Sequence, residues 1–339
     1  MRDEGEKYMN LSNLPKIELH CHLDGSVRPE TIIDIARKEN IDIPSYDVKK
    51  INDLMIAPIE CTSLDEYLKR FSLPINIMQS EYSLRRVTYE LLEDAAKENV
   101  KYMEIRFAPL LHRNKGLEVE KIIESVLMGM KDAEDKYDIN ANLILSFMKT
   151  MPVEGMFEVI NIGRKYLGKG VVAVDLCGPE EAGFAKFFVE PMSLAKSYGY
   201  RITIHAGETG IGENVLESVE LLGAERIGHG VYIKDCKKAY DIIKEKNIAL
   251  EICPTSNVQT KAVKKISEHP IYDFYKDGIK VTMNTDNRTV SNTNMTNEFS
   301  AITNEFNMDY EDYKEIYYNS LNVCFADDEI KDKLRKYMD

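Results

Sequence analysis

The sequence has few cysteines and no close-spaced pair among them. Its 339 residues contain six cysteines, none of them in a C-x-x-C arrangement. Small secreted domains depend on disulfides for stability, whereas a chain of this length can bury a large core without them. The cysteines are therefore expected to be free thiols in a reducing compartment.

Long apolar runs and an excess of positive charge are also absent. No segment approaches the length of a transmembrane helix, and the first ten residues, MRDEGEKYMN, lack the apolar core of a signal peptide. Lys and Arg number 44 against 57 Asp and Glu, so the formal charge is -13 and the surface should repel phosphate backbones and anionic lipid. These absences predict a cytoplasmic protein with no nucleic-acid or membrane partner.

Eight short β-branched or apolar segments alternate with amphipathic segments of helical spacing. This alternation predicts a parallel sheet with helices outside it, and eight repeats favour an α/β fold of the closed (β/α)8 TIM barrel type. No G-x-G-x-x-G follows the first segment, which argues against an open dinucleotide-binding sheet. The predicted strands are KIELHCH (16–22), VKYMEIRFA (100–108), NLILSFM (142–148), GVVAVDLCG (170–178), YRITIHAG (200–207), ERIGHGV (225–231), IALEICP (248–254) and IKVTMNTD (279–286).

The segment between the first two predicted strands, roughly residues 26–99, is longer than one crossover helix requires. Within it, residues from about 40 to 80 mix prolines with apolar side chains and predict extra helices. These form either a lid over the barrel mouth or additional packing on the outside. No repeat, low-complexity tract or linker divides the chain, so residues 1–339 are expected to form a single domain.

Two histidines stand on one face of the first predicted strand. Because side chains alternate along a strand, His20 and His22 point the same way, and Leu19 and Cys21 point the other way. Two neutral imidazoles in a core are costly unless their nitrogens find partners, and a metal ion would provide one. The pair therefore indicates a metal site more strongly than a lone histidine does.

Further out-of-context polar residues follow other predicted strands. His205 and Glu208 come after the fifth strand, His229 lies in the sixth, and Asp286 follows the eighth. In a barrel these strand ends meet on the face where active sites lie. Three histidines and one carboxylate suit one catalytic zinc with a position open for water, although iron or cobalt would fit the same set.

Other reactive residues have simpler explanations. His112 and His269 lie in loop-like or helical contexts and are expected to be hydrogen-bonded core residues. Cys253 has no histidine beside it in the sequence, which disfavours a thiol nucleophile. Glu104 and Arg106 share a strand face and are expected to form structural ion pairs across the barrel.

Six motifs in this order resemble the adenosine deaminase family. They are ELHCHLDGS, DLCGPE, TIHAGE, RIGHG, EICPTSN and MNTD, and the resemblance spans about residues 14–300. It implies a barrel of the amidohydrolase type that holds one zinc and converts adenosine, and 2′-deoxyadenosine, to inosine-type products and ammonia in purine salvage. Related barrels with two metals commonly carry a strand-four lysine, which GVVAVDLCG lacks before Asp175, and zinc deaminases of cytidine or nucleic acids carry a P-C-x-x-C that is absent here.

The resemblance also implies roles for individual residues. The implied metal ligands are His20, His22, His205 and Asp286. Glu208 would protonate purine N1 while hydroxide adds at C6, and His229 would act on the attacking water. A proton donor of this kind needs a raised pKa, which burial can provide.

The implied substrate contacts are His22, Asp24, Gly178 and position 287. Asp24 would hold the ribose, although it could instead be a turn or helix-cap residue, and relatives that act on free adenine tend to carry Glu there. Position 287 departs from the usual second Asp, because this chain has Asn287. An amide donates to purine N7 without needing a proton, so we expect the reaction to survive the change.

Two alternatives to a nucleoside deaminase stay open from the sequence. One is a deaminase of free adenine, and the other is a catalytically silent barrel used for binding. A small-molecule purine nucleoside is the expected partner, and the sequence does not indicate the oligomeric state.

Overall fold

Eight parallel strands form the centre of the fold. In the computed structural model, which describes residues 9–58 and 61–338, each strand pairs with the next one along the chain. The strands are β1 (Lys16–His22), β2 (Val100–Phe107), β3 (Asn140–Met148), β4 (Val171–Cys177), β5 (Arg201–Ala206), β6 (Arg226–His229), β7 (Ala249–Ile252) and β8 (Val281–Met283). A parallel bridge between Cys21 and Asp286 brings the last strand back to the first. The predicted (β/α)8 barrel is confirmed.

The predicted and observed strands differ mainly at their ends. The eighth was predicted over 279–286 but spans Val281–Met283. The reason lies in Asn284, whose side-chain oxygen accepts from the Leu19 N–H at 2.9 Å while its amide nitrogen donates to the Ile252 carbonyl at 3.2 Å. The Asn284 side chain therefore replaces backbone hydrogen bonds between the end of β8 and its neighbouring strands β1 and β7.

Fifteen α-helices are found within the described ranges. They are α1 (Pro29–Glu39), α2 (Val48–Met55), α3 (Leu64–Leu68), α4 (Ser72–Ile77), α5 (Glu81–Lys97), α6 (Val119–Glu134), α7 (Glu154–Gly163), α8 (Val189–Tyr198), α9 (Glu213–Glu220), α10 (Lys237–Glu245), α11 (Pro254–Gln259), α12 (Ile271–Lys276), α13 (Met295–Phe306), α14 (Tyr310–Val323) and α15 (Asp328–Lys336). Local sequence sets several of their ends. Ser80 and Asp309 form capping boxes at the starts of α5 and α14, and Asn40 ends α1 in the left-handed conformation.

The segment between β1 and β2 contains five of these helices. Side chains of α3, α4 and the short turn between them line the cavity at the barrel mouth, whereas α5 packs against α6 in the outer layer. The predicted 40–80 lid and 1–339 single domain stay predictions. Of the residues that these two predictions cover, 1–8, 59–60 and 339 lie outside the described residues.

Charged side chains, rather than apolar ones, fill part of the barrel interior. Arg106 contacts Glu251 at 2.7 Å and Asp175 at 3.5 Å, and Arg226 pairs with both Glu104 and Glu251. All five are buried. Buried charges are tolerated when they are paired and hydrogen-bonded, so this network joins β2, β4, β6 and β7. Glu104 and Arg106 do form structural ion pairs across the barrel, each with residues of other strands.

The remaining chain-wide features are simple. The six cysteines all lie among the described residues and are buried free thiols. Across residues 9–58 and 61–338, every helix is too short or too polar to cross a lipid bilayer.

Candidate active site

The four predicted metal ligands lie together at the C-terminal ends of the strands. His20 and His22 end β1, His205 is in β5, and Asp286 follows β8. One ligand atom from each lies within 4.8 Å of all the others. Residues separated by more than 260 positions therefore form one group, as the barrel topology requires.

Two buried carboxylates determine how the histidines are oriented. His20 donates from Nδ1 to Glu251 at 2.9 Å, and His205 donates from Nδ1 to Asp175 at 2.9 Å. In the neutral imidazole, a ring that donates from Nδ1 has its lone pair on Nε2. Carboxylate–histidine pairs of this kind orient metal ligands.

The Nε2 atoms of these rings then lie close together inside the barrel mouth. His20 Nε2 is buried and has no hydrogen-bond partner among the described residues, and His205 Nε2 lies 3.0 Å from His22 Nε2. Burial also lowers the pKa of His22 to about 3, which keeps this imidazole neutral. Converging lone pairs need a cation, and the donor set of three imidazoles and one carboxylate fits zinc.

Asp286 completes the group through both its side chain and its backbone. Its Oδ1 lies 3.4 Å from Nε2 of both His20 and His22, and its Oδ2 accepts from Ser256 at 2.6 Å. Although burial opposes ionisation, the surrounding histidines hold the pKa of this carboxyl well below its usual range. Asp286 and His229 have φ values of 60° and 63°, an uncommon left-handed conformation for residues other than glycine.

Glu208 and His229 lie beside the metal group and face each other. Glu208 Oε2 is 3.7 Å from His229 Nε2, and Glu208 Oε1 is buried without a hydrogen-bond partner in residues 9–58 and 61–338. Burial, followed by the charges of Asp286 and Glu180, raises the pKa of Glu208 to about 8. A carboxyl group in this state is protonated at neutral pH and has a free atom with which to donate.

The predicted substrate contacts line one open cavity with the predicted metal ligands and catalytic residues. The cavity measures about 770 Å³ including its mouth. Its apolar wall consists of Leu64, Leu68, Phe71, Ile75, Leu111 and Met148. His22, Asp24, Gly178 and Asn287 line the cavity together with His205, Glu208, His229 and Asp286. An apolar wall with a few convergent polar groups is typical of a small-molecule site.

The individual substrate-facing groups differ in how they are held. Burial raises the pKa of Asp24 to about 6, and its Oδ1 has no hydrogen-bond partner within the part of the chain that the structure describes. Gly178 has φ of 81°, and a Cβ there would lie 2.7 Å from Met148 Cε. Asn287 donates to the Tyr67 hydroxyl at 2.9 Å, and Tyr67 bonds Ser291 at 2.6 Å.

Several of these supporting residues were not identified from the sequence. Asp175 and Glu251 are carboxylates inside apolar strands, so the argument used for the strand-one histidines could have found them. Asn257, which contacts His229 Nδ1 at 3.0 Å, belongs to the EICPTSN motif but carries no spacing signal. Tyr67 has none either, because its partners are 220 or more positions away.

The residues that were assigned simpler explanations lie outside the metal group. His112 bonds the Met78 carbonyl at 3.0 Å, and His269 bonds Asn257 at 3.1 Å. Cys253 is buried, which raises the pKa of its thiol well above the usual value and disfavours a thiolate. Cys21 is buried in the core.

Comparison with known proteins gives a consistent set of similarities. The family model described as adenosine deaminase matches residues 15–339. The chain is 56% identical to an adenosine deaminase of Clostridium botulinum over 98% of this chain and 100% of that protein, and 54% identical to one of Clostridium perfringens over 96% and 98%. A solved structure of adenine deaminase from Arthrobacter aurescens superposes with a TM-score of 0.88 at 25% identity, covering 96% of this chain and 98% of that one.

Proposed function

The chain belongs to the adenosine deaminase family and catalyses the hydrolytic deamination of adenosine, and we propose that it does so with one zinc ion held by His20, His22, His205 and Asp286. The observation that carries this proposal is the set of convergent imidazole nitrogens around Asp286, next to a Glu208 carboxyl whose Oε1 has no partner among the described residues. A zinc ion in that position would supply a hydroxide nucleophile at neutral pH by lowering the pKa of water to about 7.

Glu208 is the proposed proton donor to purine N1. Loss of an amine from C6 requires that the ring accept electrons while the nucleophile adds, and protonation at N1 makes this possible. The raised pKa keeps Glu208 protonated. Its Oε1 atom, which has no partner among the described residues, can carry this hydrogen and donate it to purine N1. His229, whose Nε2 lies 3.7 Å from Glu208 Oε2, orients the attacking water or stabilises charge on it.

The substrate-binding residues are proposed on the basis of their positions in the cavity. Asp24 has room to accept a ribose hydroxyl, Gly178 lets the purine edge approach the backbone, and Asn287 donates to N7 with the amide hydrogen that Tyr67 does not use. The apolar wall contacts the face of the base. The same pocket would admit 2′-deoxyadenosine, since the 2′-hydroxyl has no dedicated partner in this assignment.

Small-molecule purines are the proposed partners, and we place the protein in the cytoplasm, where purine salvage occurs. The formal charge of -13 disfavours nucleic acid as a substrate. Residues that enclose the base are buried at the barrel mouth, which also suits a free nucleoside better than a base within a polymer.

The direct test is the fall in ultraviolet absorbance near roughly 265 nm when zinc-loaded protein is mixed with adenosine. Free adenine and a Glu208→Gln variant are run in parallel, because zinc binding should survive this substitution while proton donation should not. We expect loss of signal with adenosine and a decrease of at least about 10³-fold in kcat for the variant. Turnover of adenine instead would assign the protein to free-base deamination and contradict the role of Asp24, and no turnover of either would favour a binding protein.

A further inference from the structure

A buried chain of hydrogen bonds leads to His229 from outside the cavity. The Ile271 N–H donates to His269 Nδ1 at 3.1 Å, His269 Nε2 lies 3.1 Å from Asn257 Oδ1, and Asn257 Nδ2 lies 3.0 Å from His229 Nδ1. All four residues are at most 3% exposed. Solvent therefore does not compete for these bonds.

The backbone at one end determines which atom donates at each step. A backbone N–H can only donate, so His269 Nδ1 must be an acceptor and the ring hydrogen must lie on Nε2. Since Nε2–H donates, Asn257 must turn its carbonyl oxygen toward it. The orientation of the Asn257 amide, which could otherwise be reversed, is thus determined by a group that cannot change its role.

The same logic continues to the cavity. With its oxygen on His269, Asn257 presents its NH₂ group to His229 Nδ1, which must accept. His229 then carries its hydrogen on Nε2, the atom that lies 3.7 Å from Glu208 and beside the metal group. The helix α11 holds Asn257 in place, because the backbone N–H of Asn257 donates to the Cys253 carbonyl at 2.9 Å.

We infer that Asn257 and His269 are positioning residues that lock His229 in the Nε2–H tautomer, so that His229 donates a hydrogen bond to the attacking oxygen and does not remove its proton. This inference rests on the proposed role of His229. In the opposite tautomer a lone pair would face the developing negative charge and repel it. Neither Asn257 nor His269 lines the cavity, so both act through His229.

The molecule contains an internal reference for the opposite tautomer. His112 Nδ1 faces the Met78 carbonyl at 3.0 Å, and a carbonyl can only accept, so His112 must carry its hydrogen on Nδ1. The chain has only six histidines, and each can be assigned by a single His→Gln substitution.

Long-range ¹H–¹⁵N correlation spectra of ¹⁵N-histidine-labelled, zinc-loaded protein read the tautomers directly. We expect a protonated Nε2 and a bare Nδ1 for His229 and His269, and the reverse for His112. A protonated Nδ1 on His229 in this spectrum would overturn the inference whatever the activity of the protein.

Variants at position 269 test the effect on catalysis. Glutamine can accept from Ile271 with its oxygen and donate to Asn257 with its amide, so His269→Gln should keep kcat within about threefold of the native value. His269→Leu frees the Asn257 amide to turn and should lower kcat by about 10- to 100-fold, with KM, inosine affinity and zinc content unchanged. His112→Leu, which removes another buried imidazole, controls for packing and should not show the selective loss of kcat.

Asn257→Asp reverses the direction of the hydrogen bond between residue 257 and His229, while the volume of the side chain stays nearly constant. The carboxylate still accepts from His269 but must also accept from His229, so a hydrogen moves to His229 Nδ1 in the spectrum and kcat should fall by about 100-fold or more. If His269→Leu and Asn257→Asp both keep native kcat while Glu208→Gln abolishes turnover, the inference fails and the proposed function stands. If the native protein does not deaminate adenosine, the function fails, and the spectrum still reports the tautomer.

Discussion

Glu208 illustrates how one residue acquires its chemistry from its surroundings. Lys149 and His229 also face this carboxyl, yet burial and the nearby charges of Asp286 and Glu180 prevail and raise its pKa to about 8. The protonated form is therefore present at neutral pH and is lost as the pH rises through this value.

We expect kcat/KM for adenosine to fall tenfold per pH unit above about pH 8, because the donor hydrogen on Glu208 is then removed from the free protein. The measurement is kcat/KM at low adenosine concentration between about pH 6 and pH 10, with circular dichroism at each pH to show that the fold persists. A rate that stays level up to about pH 10 would rule out Glu208 as the donor.

Gly25 controls the position of Asn287. A Cβ at Gly25 would lie 1.9 Å from Asn287 Oδ1, so a methyl group there must displace the amide. We expect Gly25→Ala, like Asn287→Ala, to raise KM for adenosine by about tenfold, the loss of one hydrogen bond to the base.

The control for this prediction is 7-deaza-adenosine, which lacks the N7 acceptor. Native protein should prefer adenosine to this analogue, and both variants should lose most of that preference. Equal use of the two nucleosides by the native protein would show that Asn287 does not donate to N7.

At the scale of the elements, Glu180 ties the loop after β4 to the loop after β5. Its carboxylate accepts from the backbone N–H groups of Gly207, Glu208 and Thr209 at 3.1, 2.8 and 2.9 Å, and from the Asn214 side chain at 3.0 Å. The backbone that carries the proposed proton donor is therefore held by a residue of the DLCGPE motif.

Substitution of Glu180 should impair catalysis more than substrate binding. An amide nitrogen in Glu180→Gln cannot accept two of these bonds, so we expect a decrease of about 10- to 100-fold in kcat with a smaller change in KM. Glu181→Gln removes the same charge from an exposed neighbour and should leave both constants near native. Equal effects of the two substitutions would show that charge alone matters.

The elements also show where prediction from sequence succeeds. All eight strands were identified because β-branched runs alternate with amphipathic helices, but six of them were predicted too long, and β3 begins two residues before its predicted start. Side chains such as Asn284 complete the ladder at those ends, and this depends on contacts with Leu19, 265 positions away. Periodicity alone could not show whether the short helices α3 and α4 lie at the barrel mouth or pack on the outside of the barrel.

At the scale of the whole molecule, the metal group spans the place where the sheet meets itself. The Asp286 N–H donates to the His20 carbonyl at 2.9 Å, and the His22 N–H donates to the Asp286 carbonyl at 2.7 Å. The same residues thus join β1 to the end of β8 and carry three of the proposed metal ligands. Metal binding and closure of the barrel should therefore be linked.

Removal of zinc should lower the melting temperature. At about a thousandfold excess of free zinc over its dissociation constant, binding contributes about 4 kcal/mol, which corresponds to a decrease of about 5 °C for a chain of this size. Calorimetry before and after chelation measures the difference. Glu208→Gln should show the full shift and His205→Ala almost none, and an equal melting temperature with and without zinc would contradict the ligand assignment.

Site residues could be predicted where their residue type stands out in the sequence. They could not be predicted where their role depends only on contacts with other residues in the fold. Histidines in an apolar strand and a carboxylate after a strand indicated the metal group. Asn257 and His269 carry an ordinary amide and an ordinary imidazole, and their effect on His229 depends on the direction of each hydrogen bond. That direction follows from three-dimensional contacts and has no counterpart in spacing or composition.

The seam between β1 and β8 also sets an order in time. Three of the four ligands precede residue 206, but the fourth is Asp286, near the end of the chain. During synthesis a ribosome must therefore release the polypeptide as far as residue 286 before the proposed ligand set exists. A nascent chain cannot acquire its complete metal centre, or its activity, until its last strand has returned to its first.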